Sequence, residues 1–228
     1  MPDLIDTTEM YLKTILEMEE DGVTPLRARI VDRLGHSGPT VSQTVARMER
    51  DGLLHVLGDR RLELTEQGRA RAVSVLRKHR LAERLLSDFI GLDWTEVHDE
   101  ACRWEHVMSE HVEQRLHTLL NSPTSDPYGN PIDGESHPAE GLSVELAVRA
   151  SVPTRGRVVR IGEPIQAERS ILQAFDAAGI RPGSRVEVES ASADEVLVRN
   201  CEDADTLGEK AVVCIPLVLS PHMFIAVE

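Results

Sequence analysis

Apolar residues recur at helical spacing through the first half of the chain and at strand spacing through the last third. Tyr11, Leu12, Ile15, Leu16 and Met18 share a broad face, which predicts a helix that stops near Gly22. Asp6-Thr7-Thr8-Glu9 precedes it as a capping box, with Asp6 at the cap and Glu9 reaching back. Thr24-Pro25 is a second start signal, for a short helix through Leu26, Ile30, Val31 and Leu34. Ser37-Gly38-Pro39 starts a third helix, which ends before Gly52. The period then changes. Leu53–Leu57 and Arg61–Leu64 flank Gly58-Asp59-Arg60 and predict a β-hairpin. Thr65 caps a long amphipathic helix that runs to about Phe89 despite Gly68, and another spans roughly Trp94 to Leu120.

Four prolines (123, 127, 131, 138) with several Gly and Ser between 121 and 141 mark a linker or an ordered Pro-rich arm. Beyond about 150 the texture is β, at Arg157–Ile161, Arg185–Glu189, Glu195–Arg199 and Ala211–Ile215, with a short helix over Gln166–Ala178. The expected fold is mainly α with a small β part. A winged helix-turn-helix occupies 1–64, a helical domain 65–120, the linker 121–150 and a small β domain 151–228.

The third helix divides by face. Val41, Val45 and Met48 are apolar, whereas Thr40, Gln43, Arg47 and Arg50 form a polar stripe at the same spacing. Gln pairs bidentately with adenine, and a Pro or Thr methyl packs on a thymine methyl. Arg27, Arg47, Arg50 and the wing-tip Arg60 suit phosphates. The candidate DNA contacts are therefore Arg27, Ser37, Pro39, Thr40, Gln43, Arg47, Arg50 and Arg60 on double-stranded DNA. Charge qualifies this. The chain carries a formal net charge of -14, yet residues 26–61 hold seven Arg against four acids. A locally basic patch on an acidic protein suits a conditional DNA binder, whose balance a cation can tip.

The second candidate chemistry is metal binding. His98, Cys102, Glu105 and His106 fall on one face of the helix expected there, and His79 and Glu83 share a face at i, i+4. With Met10, these residues come from three helices. Thiol, thioether, imidazole and carboxylate together suit a first-row transition ion. His and Glu at this spacing also occur on wet surfaces, and Met10 and Cys102 equally suit a core. His111, His117 and His137 read as surface residues. His106 and His111 do not make H-E-x-x-H, so a metalloprotease lacks its motif, and no general base or nucleophile marks an enzyme. The three cysteines form no C-x-x-C, the N-terminus carries no secretory pattern and no run spans a bilayer, so a cytoplasmic protein with no membrane partner is expected.

Asp6-Thr-Thr-Glu-Met10-Tyr-Leu, Pro25-Leu-Arg-Ala-Arg29, Ser37-Gly-Pro-Thr-Val-Ser-Gln-Thr-Val45, Arg77-Lys-His-Arg-Leu-Ala-Glu-Arg84 and Glu100-Ala-Cys-Arg-Trp-Glu-His-Val-Met-Ser109 resemble the family of the diphtheria toxin repressor and the iron-dependent regulators. The likeness is dense to about residue 132. It implies an Fe²⁺-activated homodimeric repressor of iron-uptake and siderophore genes on pseudo-palindromic operators, with Mn²⁺, Co²⁺, Ni²⁺ or Zn²⁺ able to substitute. A manganese-responsive relative is the alternative, and the soft pair Met10 and Cys102 favours iron. It also implies a regulatory primary site of Met10, Cys102, Glu105 and His106, and an ancillary site of His79, Glu83 and His98 with two residues from the C-terminal domain. Glu168 resembles one of the two. The other is a Gln three residues on, where this chain has Ile171, so Gln166 or Gln173 serves or the shell is one ligand short. An anion held by residues like Arg80, Asn130 and a Ser meets Asp126 here in place of the Ser, and a carboxylate repels it. The resemblance further implies a Src-homology-like small barrel after 150, a dimer interface on helices 65–120 including Trp104, and a switch in which Leu4–Thr8 rearranges.

Overall fold

The computed structural model describes residues 6–133, 141–149, 152–202 and 212–228. Helix α1 (Thr7–Glu20) buries its apolar face in the core of a winged helix-turn-helix. Asp6 caps it by accepting from the backbone N–H of Thr8 and Glu9. Glu9 does not close the expected box; its carboxylate goes to Arg71 and His106. Helix α2 (Arg27–Leu34) begins two residues after Pro25, not at it. Leu26 is extended and bridges Arg61, while Pro25 accepts from Leu62 N–H, so the predicted start signal serves instead as an edge of the wing. Helix α3 (Gly38–Arg50) starts on Ser37, whose side chain accepts from Thr40 N–H. The hairpin β1 (Leu54–Val56) and β2 (Leu62–Leu64) follows, with Leu54 opposite Leu64.

Helix α4 (Glu66–Leu85) passes directly under this unit. A Cβ on Gly68 would lie 1.8 Å from the Leu53 carbonyl oxygen, so the glycine is what lets the helix approach the wing backbone. After a π turn over Leu86–Ile90, the long helix expected from 94 to 120 is two helices, α5 (Val97–Trp104) and α6 (Glu110–Leu119). The break occurs because Val107 and Met108 N–H both turn back to the Trp104 carbonyl and Ser109 caps a new helix. The apolar periodicity continues across it, which hides the break from the sequence.

The C-terminal part holds β3 (Leu142–Ser143), α7 (Val144–Val148), β4 (Thr154–Ile161), α8 (Glu163–Gln166), α9 (Arg169–Ala177), β5 (Arg185–Ser190), β6 (Glu195–Asn200), β7 (Val212–Pro216) and β8 (Met223–Val227). Its strands form one antiparallel sheet in the order β3-β8-β4-β5-β6-β7. Strands β3 and β8 carried no sequence expectation, and Ala211 lies outside the described residues. The sheet's inner face joins Ala82, Leu86, Trp94, Val97 and Ala101 in one apolar cluster, separate from the winged-helix core. Composition suggested a linker or an ordered arm after 120. Asp126, Tyr128, Asn130 and Ile132 are buried, so residues 121–133 form an arm packed between the helices and β4, and 134–140 lie outside the described residues. Gly129, at φ 88, permits the contact, since a Cβ there would lie 2.2 Å from the Val159 carbonyl oxygen.

Candidate functional site

Helix α1 carries a second, polar face made of Asp6, Glu9, Lys13, Glu17 and Glu20, spaced three or four residues apart. Asp6 pairs with Arg71 at 2.7 Å, Glu17 with Arg33 at 2.8 Å and Glu20 with Arg80 at 2.6 Å. Next in the chain, Asp21 pairs with Arg160 at 2.7 Å and His222 at 2.5 Å. Arg160 reaches inward because β4 is bulged between Val158 and Arg160, which breaks the alternation and buries Arg160 beside Ile161. One helix of the DNA-reading unit is thus tied to α2, to α4 and to the C-terminal sheet.

The middle of this face meets the candidate ligands. His79 Nε2 lies 2.8 Å and His98 Nδ1 3.3 Å from Glu83 Oε1, and Cys102 Sγ is 3.6 Å from His98 Nε2. His79, His98 and Cys102 bring donor atoms within 4.8 Å of one another. On the other side of His79, Nδ1 is 2.6 Å from Glu105 Oε2, and His106 is 3.2 Å from Glu105 Oε1 and 3.0 Å from Glu9. His79, Glu83, His98, Cys102, Glu105 and His106, from both ligand sets implied by resemblance, therefore form one continuous network, which Met10 and Glu168 do not join. Helix α5 ends at Trp104, with Glu105 as its C-cap and His106 in the turn that follows. Met10 is half-buried against the winged-helix core.

Sequence reasoning passed over Lys13 and Glu163. Lys13, 5% exposed, places Nζ 2.8 Å from Glu105, 3.2 Å from His79 Nδ1 and 3.3 Å from Glu163. The only signal for Lys13 was its register with Glu9 and Glu17. Glu163 begins α8 and is the carboxylate that the C-terminal sheet sends into the network. Gln166, one turn on, is 3% exposed. Glu168 is exposed at the N-cap of α9, and Ile171 packs against the apolar cluster. Glu163 and Gln166 thus form a buried Glu/Gln pair at the expected three-residue spacing, and Gln166 is one of the open alternatives.

Electrostatics in this pocket are dominated by burial and its compensation. Burial favours neutral groups, but Lys13, His98 and His79 together bring the Cys102 thiol down to about 6. Burial likewise opposes charge on His98, and Cys102 and Glu83 overcome it, raising it to about 10. Glu83 is held near 2 despite burial by His79 and His98. Burial and the nearby Glu163 push Glu17 upward against the pull of Lys13 and Arg33, while Lys13 holds Glu163 down. Asp126 accepts from Tyr128 and Asn130 N–H at 2.7 and 2.9 Å and stands 3.8 Å from Arg80 Nε. A protein carboxylate thus faces Arg80 where resemblance implies an anion.

The donor set fits a transition ion. Among the described residues, Glu83 Oε2, Glu163 Oε1 and Gln166 Oε1 are buried acceptors with no hydrogen-bond partner. Unpaired buried acceptors of this kind are costly unless a cation satisfies them. His111 is exposed, His117 is half-buried beside Ser122, and His137 lies outside the described residues.

The candidate DNA face is separate. Ser37, Pro39, Thr40, Gln43, Arg47 and Arg50 are all exposed on α3, opposite the buried Val41, Val45 and Met48. Arg60, exposed, tips the hairpin at φ 70, and Arg27 is half-buried. Arg47 donates to Thr8 at 3.3 Å, joining the start of α1 to this face. Leu4 and Ile5 of the expected switch segment lie outside the described residues.

Comparison with known proteins follows the same division. The family model of the iron dependent repressor N-terminal DNA binding domain matches residues 3–62. That of the iron dependent repressor metal binding and dimerisation domain matches residues 65–134. The iron-dependent repressor IdeR of Mycobacterium tuberculosis strain H37Rv is 56% identical over 207 residues, covering 87% of this chain and 90% of the relative. The diphtheria toxin repressor of Corynebacterium diphtheriae is 52% identical over 219 residues, covering 92% and 96%. Among solved structures, a manganese-dependent transcriptional repressor in complex with manganese aligns with a TM-score of 0.77 at 27% identity, covering 97% of this chain and 100% of that one.

Proposed function

The chain belongs to the iron-dependent repressor family, and on that premise we propose that it is an Fe²⁺-activated homodimeric repressor of iron-uptake and siderophore genes. It is a metal-dependent transcriptional repressor and not an enzyme. The observation that carries the finer reading is the buried network of thiol, imidazole and carboxylate groups, with acceptor oxygens left unpaired, at the face of α1.

We assign Met10, Cys102, Glu105 and His106 to the regulatory ion, and His79, Glu83, His98, Glu163 and Gln166 to the ancillary one. Glu163 and Gln166 replace Glu168 and Ile171 in that assignment, because they are buried and each keeps one oxygen without a hydrogen-bond partner. A bound divalent ion supplies positive charge that cross-links donors from several elements. The chain's own part is to present those donors and to transmit their arrangement along α1. Thr8 touches Arg47 at one end of that helix, and Asp21 is locked to Arg160 at the other.

Operator DNA lies along the exposed stripe of α3, with Gln43 at base edges, Arg47 and Arg50 on phosphates, and the wing-tip Arg60 beside them. Phe89, Ile90, Val107, Val112 and Leu119 are 47–60% exposed on the helical domain, and a second copy covers them in the homodimer. Trp104, expected at that interface, is partly buried against the protein's own core and bonded to Glu100. The repressor acts in the cytoplasm, where its operator is. The sulfur donors favour Fe²⁺ over Mn²⁺; manganese is the second reading, favoured by the likeness to a manganese-dependent repressor. Anaerobic mobility-shift titrations with Fe²⁺, with Mn²⁺ and without metal test this. Fe²⁺ is expected to tighten operator binding at lower concentration than Mn²⁺. Equal affinity with and without metal would end the reading.

A further inference from the structure

Lys13 is a primary ammonium in a nest of metal-ligand atoms. Besides Glu105, His79 and Glu163, Glu17 Oε1 lies 3.8 Å from its Nζ. Burying a lysine is costly unless it is paired on several sides, and here the pairing groups come from α1, α4, the turn after α5 and α8. Two of them, Glu105 and Glu163, are the carboxylates assigned above to different ions. An ammonium and a divalent cation compete for such oxygens, because each is attracted to them and the two repel one another at this range. We propose that Lys13 is a tethered cation that holds these carboxylates in the metal-free protein and must withdraw from them for metal to bind, so that it sets the metal affinity. The inference rests on the network being the regulatory metal centre. Its consequence is mechanical as well. Withdrawal breaks the Lys13–Glu163 tie between α1 and α8, one turn from Met10.

The test uses the full chain under anaerobic conditions with Co²⁺ alone as probe, followed by its visible absorption. Lys13→Leu removes the charge, keeps an apolar side chain and adds no sulfur donor. It is expected to bind Co²⁺ at least tenfold more tightly than the wild type at the same stoichiometry. A merely structural lysine would instead weaken binding when removed. A second measurement needs no variant. The chain has lysines only at 13, 78 and 210, so labelling with an amine-reactive ester resolves each by mass spectrometry. Lys13 is expected to be protected without metal and modified with Co²⁺ bound, with Lys78 as the internal reference. Unchanged or weaker binding by Lys13→Leu, or Lys13 still protected in the Co²⁺ form, overturns the proposal while leaving the metal centre standing. Failure of the wild type to bind Co²⁺ at all removes both.

Discussion

Replacing Arg160 with Met tests whether the C-terminal sheet is locked to the DNA-reading unit by charge. Arg160, 4% exposed, donates to the Asp21 carboxylate and to the Glu20 carbonyl, each at 2.7 Å, and to Asn130 Oδ1 at 3.3 Å. Its guanidinium also lies 4.1 Å from the centre of the Phe224 ring. Breaking a buried ion pair by removing one partner costs about 3–5 kcal/mol, because the other charge is stranded. Asp21 keeps His222 at 2.5 Å, which places the loss toward the lower end. The lost contact with Phe224 adds about 1 kcal/mol, of which the Met side chain restores part by packing on the ring. A cost of about 3 kcal/mol corresponds to a fall of roughly 6–12 °C in melting temperature for a chain of this size. Arg155→Ala is the control, since its guanidinium is solvent-exposed and its pair with Glu187 contributes little. Calorimetry on both variants, with a double-mutant cycle on Asp21 and Arg160, gives the comparison. Equal melting temperatures for the two variants, or a coupling energy near zero, would refute the clamp.

Gly68→Ala gains about 1 kcal/mol of helix propensity, but its Cβ would meet the Leu53 carbonyl at 1.8 Å; the variant should lose about 2 kcal/mol net in urea unfolding, and a stabilised protein would contradict the packing. Asp126 is pushed from 3.8 to about 7 by burial and Glu83. The native state therefore binds more protons than the unfolded one between those values, and stability falls as pH rises through that window, by up to about 4 kcal/mol. Asp126→Asn should flatten that slope in melts from pH 4.5 to 7.5, and an unchanged slope would sink the assignment. Glu163→Ala should weaken the second Co²⁺ equivalent in calorimetric titration at least tenfold while Glu168→Ala changes it less than twofold; the reverse ranking would restore Glu168 as the ligand.

Much of the site was legible before any coordinates. The polar stripe on α3 is exposed as its 3.6-residue period requires, and His79, Glu83, His98 and Cys102 converge as their i, i+4 pairs suggested. What misled was local continuity. Hydrophobic spacing carries through 105–109, so the helix end at Trp104 and the new cap at Ser109 left little trace. Pro-rich composition likewise gave no sign that Tyr128 and Asn130 would be buried between two other elements.

By itself the sequence determined what short-range forces decide: caps at Asp6, Ser37 and Thr65, the hairpin turn at Arg60, the faces of α3 and the chemistry of the ligand types. These depend on neighbours within one or two turns. Only the tertiary structure decided which charges would be buried together. Lys13 meets Glu105 across 92 residues and Asp21 meets His222 across 201. Such pairs offset their desolvation only when packing brings them together, and no local pattern encodes the partner. The same reason explains why Glu163 rather than Glu168 enters the network. Both are solitary acids in sequence, and the bend from β4 into α8 determines which of them is buried.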